Sequence, residues 1–494
     1  MKRSILLIVA VLLSISTCIA QNTASIFQGK PVINGPKVLG HFPNTPFIFS
    51  IPTSGERPIK WKVTKLPTGL LLDVNTGIIT GNVKKAGNYE LAVTATNKLG
   101  TVTQKIILKV GTTIALTPPM GWNSWNTFTN TINEKLIKEI ADYMVSSGMR
   151  ELGYQYVNID DFWQLKTRDS EGNIQVNTEK FPNGIKALAD YVHSKGLKIG
   201  IYSDAAEKTC GGVMGSAGYE EKDAKLFASW GIDLLKYDYC NAPIQRDSAV
   251  ARYTKMANAL RATNRSIYFS ICEWGVRQPW EWAGKVGGSS WRTTRDIFDV
   301  WDYSSGHNGV IQIINANSKL WEYAKPGHWN DPDMLIVGIR GTGRATSGSD
   351  MKNIAKGLTN EEYRTHMSLW CLMAAPLLCG NDIRKMDEFT REVLLNNEII
   401  AINQDQLGKQ ARVVSDKDNK MIFAKPLSGG KWAIGLFNRD GKEAKNISFD
   451  LKEIGLEGKI QGRDLWNNKN LGDVNGQISF NVAPHACQVI VLSN

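Results

Sequence analysis

The chain has 494 residues, too many for one ordinary domain, so two or three are expected. Hydrophobic residues make up 42% and charged residues 21%, an ordinary globular balance. The 58 Lys and Arg against 47 Asp and Glu give a net charge of +11, but the basic residues are scattered, with no long basic run and no zinc-finger spacing, which argues against a nucleic-acid partner.

Residues 1–20 read as a secretory signal peptide. Met1-Lys2-Arg3 is a short positive region, an apolar run spans Ile5 to Leu13, and small residues close on Cys18-Ile19-Ala20 before Gln21. That run is too short to span a bilayer as a helix, and no later run is long enough, so no membrane span is expected. Cleavage is expected after Ala20; the rival, lipid attachment at Cys18, fits poorly with Thr17 before it. The signal implies export to a periplasmic, cell-surface or extracellular place. Six of the seven cysteines then remain, and export permits disulfides. Cys210 and Cys240 would close a loop of moderate length, whereas Cys272, Cys371 and Cys379 sit in apolar runs and read as buried free thiols. No His or Cys grouping has metal-ligand spacing and no glycine-rich phosphate loop is present, so no metal or cofactor is expected.

Residues 24–112 carry short alternating runs, such as Phe47–Ile51, Ile59–Val63 and Tyr89–Thr94, separated by the turn signals Asn75-Thr76-Gly77 and Ala86-Gly87-Asn88. The pattern predicts a small β-sandwich, similar to the immunoglobulin-like modules that precede many exported bacterial enzymes. With no exposed aromatic platform evident, it reads as a spacer rather than a carbohydrate-binding unit.

Over residues 115–407 apolar strand-like runs alternate with amphipathic helices. The runs are Met120–Trp122, Tyr156–Ile159, Lys198–Tyr202, Leu234–Tyr237, Ile267–Ile271, Ser290–Thr293, His328–Asn330 and Pro376–Leu378, with helices such as Glu134–Ser147, Ile185–Ser194, Glu220–Trp230 and Ala249–Ala262 between them. Eight such repeats predict a (β/α)8 TIM barrel. Gly153, Gly196 and Gly231 fall just before strands, where a helix end favours a left-handed residue. Residues 408–494 return to alternating runs, as in Met421–Ala424 and Trp432–Phe437, and predict a C-terminal antiparallel β-sandwich. The chain is therefore expected to be multidomain, with a catalytic barrel between two β-domains.

A barrel places its working groups at the C-terminal ends of its strands. Those ends carry Trp122 and Trp125; Asp160, Asp161 and Trp163; Tyr202 and Asp204; Lys236, Asp238, Tyr239 and Cys240; Cys272, Glu273 and Trp274; Arg292 and Asp296; Asp331 and Asp333; and Asn381 and Asp382. Carboxylates at nearly every end, with aromatics beside several, suit a sugar. Lys236, Asp238 and Cys240 alternate onto one strand face, and a lysine there favours an ionised Asp238 carboxylate. Each residue alone has a plain structural reading as well. Asp160-Asp161 would cap an element, Lys236 and Asp238 would be a buried ion pair, Glu273 and Arg292 would be rim salt bridges, and Trp125, Trp163 and Trp274 would be core. Their joint position at one rim favours a site.

Seven stretches in order resemble glycoside hydrolase family 27, the α-galactosidase and melibiase family: Pro118–Trp125, Asn158–Asp161, Leu235–Asp238, Cys272–Gly275, Trp291-Arg292 with Asp296, Trp329–Met334 and Ala401–Asp405. The resemblance runs from Leu116 to Leu407 and more loosely beyond. It implies a retaining, exo-acting hydrolase that releases terminal α-galactose from a carbohydrate substrate. Asp238 matches the nucleophile and Asp296 the general acid/base; Trp125, Asp160, Asp161, Tyr202, Lys236, Glu273, Arg292 and Asp333 match the galactose subsite. Cys210 and Cys240 match a family disulfide beside it. The alternatives are a relative of different specificity, a β-L-arabinopyranosidase or α-N-acetylgalactosaminidase, or a non-catalytic carbohydrate-binding protein. Glu273, where acetamido-accepting relatives carry smaller residues, argues against N-acetylgalactosamine, and Asp160-Asp161 argues for a full hydroxymethyl group. This chain departs from the family in three places. Phe162 stands where many relatives have cysteine, so a disulfide near that strand is expected to be missing. Tyr239 replaces a smaller residue and is expected to reshape the outer pocket. The loop Arg277–Gly288 is particular to this chain.

Overall fold

A computed structural model describes residues 25–303, 308–342 and 357–493; the expected signal peptide lies outside the described residues. Eight parallel strands make the central sheet: β1 (Met120–Asn123), β2 (Tyr156–Asn158), β3 (Lys198–Asp204), β4 (Leu234–Asp238), β5 (Tyr268–Ile271), β6 (Ser290–Arg292), β7 (Trp329–Asp331) and β8 (Leu377–Cys379). Each of β1 to β6 pairs with the next, and β8 pairs with β1. A parallel bridge between Leu335, just past β7, and Cys379 of β8 closes the ring. All eight predicted strand runs therefore fall in the barrel. Their side chains are buried on both faces, which is why these strands read as continuous apolar runs rather than alternating ones.

Local sequence explains the helices. Glu134–Ser146 buries Leu136, Ile137, Ile140, Ala141 and Met144, one stripe at helical spacing, and starts where the Asn133 side chain accepts from Leu136 N–H. Gly231 ends Glu220–Trp230 at φ 86°, a conformation in which a Cβ is strained. Gly153 and Gly196 are also left-handed, as their positions predict. The helix Asn360–Leu372 lacks an amphipathic stripe because both faces are covered. On one side Trp370 and His366 bond Asp333 and Ile336, just past β7, and on the other Thr365 and Ser368 bond His485 and Trp466 of the C-terminal domain.

The N-terminal domain is a sandwich. Val38–His41, Gly100–Val110, Gly87–Asn97 and Lys60–Thr64 form one sheet, and Pro46–Ser50, Ile78–Asn82 and Leu70–Leu72 the other. Phe47, Phe49, Trp61, Ile79, Val93 and Leu108 fill the space between them. This domain sits against the end of the barrel where strands begin. Arg57 pairs with Glu151 at 3.2 Å, Thr45 bonds Ser266 at 2.8 Å, and Ile78 covers Gly196, where a Cβ would lie 2.9 Å from its side chain. The C-terminal domain is a six-stranded antiparallel sheet faced by the pair Lys445–Asp450 and Gln477–Val482, around Ile422, Ile434, Phe449 and Ile490.

Candidate active site

At the opposite end from the N-terminal sandwich, the strand ends surround a cavity of about 470 Å³, lined by Trp125, Asp160, Tyr202, Lys236, Asp238, Trp274, Arg292, Asp296, Asp333 and their neighbours. That volume is ordinary for a small-molecule site. Strand register sets the floor: Tyr202 pairs with Lys236 and Asp204 with Asp238, so these side chains stand in adjacent rows on β3 and β4.

Asp160 is held from three sides. Its Oδ2 accepts from Asn123 Nδ2 at 2.9 Å and Lys236 Nζ at 2.8 Å, and its Oδ1 accepts from the Asp161 amide at 3.0 Å. Lys236 thus pairs with Asp160 rather than with Asp238, its neighbour on the strand. Burial opposes the Lys236 charge, but Asp160 foremost and Asp238 with it hold the ammonium above its ordinary range.

Asp238 is nearly fully buried. Its Oδ1 accepts from the Tyr239 amide at 3.0 Å and its Oδ2 from the Tyr202 hydroxyl at 3.2 Å. Burial pushes its carboxyl up to about 6, against the pull of Lys236 and with a further push from Asp296. This corrects one expectation. Lys236 does favour the Asp238 anion, but desolvation outweighs it and the net direction is upward. Beside the pair, Cys210 and Cys240 are joined in a disulfide that forms part of the cavity wall.

Arg292 organises the far wall. Its Nη2 lies 3.2 Å from Asp296 Oδ1, 2.9 Å from Asp333 Oδ2 and 3.1 Å from the Thr294 carbonyl. Asp333 also accepts from the Ile297 amide at 2.9 Å and sits at φ 86°, a left-handed conformation fixed by its bonds. Asp296 is the more open carboxylate, with its side chain 27% exposed against 4% for Asp333. The arrangement offers one enclosed carboxylate with a tuned proton affinity and a second, more accessible one anchored by an arginine, a layout suited to acid–base and nucleophilic work at one carbon.

Three expected contributors stand behind the wall. Asp161 does not line the cavity; its oxygens accept from the Phe162 and Gly211 amides, both at 2.8 Å. Glu273 is fully buried and also absent from the lining. Its carboxylate accepts from the Arg277 amide and, at 3.1 Å, from Arg277 Nη1, while burial pushes it up to about 7. Tyr239 is buried against Tyr253, with the Arg277 guanidinium 4.6 Å over its ring. It therefore shapes the rim by holding Arg277 rather than by entering the pocket. Trp163 is core, its Nε1 donating to the Tyr202 carbonyl. Phe162 stacks on Trp125. The segment Arg277–Gly288 is ordered into the turns Pro279–Glu281 and Ala283–Val286.

Sequence reasoning missed Val276, Arg277, Arg295 and Met334 as lining residues, and Asn123 as a partner of Asp160. Each lies within three residues of a strand-end motif residue already singled out, and that adjacency was the available signal. Cys272, Cys371 and Cys379 are buried free thiols, as expected, and Cys487 joins them.

Comparison with known proteins agrees with this architecture. The family profile for alpha galactosidase A matches residues 117–405, and that for the alpha galactosidase C-terminal beta sandwich domain matches residues 417–492. An Ig-domain profile matches residues 30–111. Alpha-galactosidase 2 of Arabidopsis thaliana is 47% identical over 408 residues, 82% of this chain and 96% of its own length. Alpha-galactosidase A of Cellvibrio japonicus is 44% identical over 397 residues, 77% of this chain and 93% of its own. A Bacteroides fragilis crystal structure described as a candidate alpha-galactosidase/melibiase superposes with TM-score 0.91 at 51% identity, covering 95% of this chain and 99% of that one.

Proposed function

Because the chain belongs to the α-galactosidase family, glycoside hydrolase family 27, we propose that its reaction, the release of terminal α-linked galactose with retained configuration, runs through Asp238 and Asp296. Asp238 attacks the anomeric carbon while Asp296 protonates the departing glycosidic oxygen, giving a covalent galactosyl-enzyme. Asp296 then takes a proton from water, which attacks the same carbon and frees galactose and Asp238. A retaining pair requires carboxyls about 5–5.5 Å apart.

The observation that carries this reading is that both carboxylates line one cavity in unlike surroundings: Asp238 buried beneath Tyr202 and beside Lys236, Asp296 open and fastened to Arg292. Asp160, fixed by Asn123 and Lys236, is positioned to accept from sugar hydroxyls, and Trp125 and Trp274 supply apolar faces for the ring. A buried acceptor left unpaired penalises the wrong epimer. The N-terminal run Met1–Ala20 supports export, and no described helix is long and apolar enough to cross a membrane.

Asp238→Ala tests the assignment. Loss of turnover on a small α-galactoside by on the order of 10⁴-fold or more is expected, and near-normal turnover would remove Asp238 from the mechanism.

A further inference from the structure

We propose that Lys180 is a positioning residue of the sugar site, its ammonium holding the Trp125 segment against the strand end that carries Asp160 and Asp161. This rests on the reading of the cavity given above. Trp125 opens the short helix Trp125–Phe128, which continues as the single turn Thr129–Thr131. Phe162 directly follows Asp161 on the neighbouring strand end. Lys180 Nζ donates to the carbonyl oxygen of Asn130 at 2.6 Å and to that of Phe162 at 3.3 Å, so one cation joins the two segments. It also lies 5.5 Å from the centroid of the Phe162 ring.

The Phe162 ring is the second half of the device. It stacks on Trp125 with planes 15° apart and centroids 6.0 Å apart. On another side it meets Gly211, where a Cβ would come within 2.5 Å of the ring. Phe162 itself is held at φ 77°, a conformation a bulky residue keeps only when its surroundings enforce it. Lys180 is fixed from outside the site: its amide donates to the Asn177 carbonyl, and its own carbonyl accepts from the Glu134 amide. The ammonium, with three donors and a compact charge, satisfies two carbonyls and a ring face at once. Trp125 lines the cavity and Lys180 does not, so Lys180 acts through Trp125.

The test compares Lys180→Met and Lys180→Arg with the wild-type protein, reading kcat and KM on a chromogenic α-galactoside and amide hydrogen exchange in the peptide Trp125–Thr131. Lys180→Met is expected to raise KM about tenfold with kcat within about twofold, a loss of positioning rather than of chemistry. It is also expected to speed exchange in that peptide, and Lys180→Arg should restore both. Unchanged exchange in Lys180→Met, or a fall in kcat without a rise in KM, would overturn the proposal. A wild-type protein that leaves the galactoside intact would count against the galactosidase reading alone, and the exchange comparison would still decide the role of Lys180.

Discussion

Asp238 sits where opposing influences meet: burial foremost, then Asp296 and Asp160, raise its proton affinity, while Lys236 and the Tyr239 amide lower it, for a net value of about 6. The attacking carboxylate must be ionised, so kcat/KM is expected to rise with pH through about 6 and to fall as protons neutralise Asp238 below it. Lys236→Met removes the larger of the two influences that lower this affinity, the other being the Tyr239 amide, so the acid limb should move to higher pH, by about one unit. A pH–rate profile of both proteins checks this; an unmoved or lowered acid limb in the variant would contradict the assignment. At this scale the sequence made the acids legible because a barrel exposes its strand ends, and each predicted acid does stand at one. It did not reveal which of them face the cavity. Asp161 and Glu273 turn their oxygens to backbone amides, and Glu273 to Arg277, four residues further on, and such folding-back is set by loop conformation rather than by strand alternation.

Among the elements, the barrel strands were the most legible, since buried parallel strands give uninterrupted apolar runs. The helix Asn360–Leu372 was less so, because covering by the C-terminal sheet erases the period that marks an amphipathic helix. The N-terminal sandwich was legible as a fold but not as a neighbour. Its contacts through Thr45, Arg57 and Ile78 reach residues just ahead of strands, at the end of the barrel away from the cavity. A chain lacking residues 24–111 is therefore expected to keep KM on a small galactoside within about twofold, while its unfolding midpoint drops by about 5 °C or more as the packed surface is exposed. Calorimetry and steady-state kinetics on the truncated chain measure both. A large rise in KM would show that the sandwich shapes the site, and an unchanged midpoint would show that its contacts contribute nothing to stability.

Across the whole molecule, three bodies share the work: a sandwich against one end of the barrel, a second β-domain covering one helix, and a cavity left open at the other end. The order of these bodies could be read from changes in hydrophobic period along the chain, and the motifs at the strand ends named the family. The preference among related sugars was the least legible property. Val276, Arg277 and Arg295 line the cavity, and only their adjacency to the strand-end motifs marks them. The measurement that bears most directly on the account is hydrolysis of a panel of chromogenic glycosides, α-galactoside, α-N-acetylgalactosaminide and β-L-arabinopyranoside, by the wild-type protein and by Asp238→Asn. The account predicts cleavage of the α-galactoside ahead of the other two, abolished in the variant. Preference for another member of the panel, or α-galactoside cleavage that survives in Asp238→Asn, would contradict it.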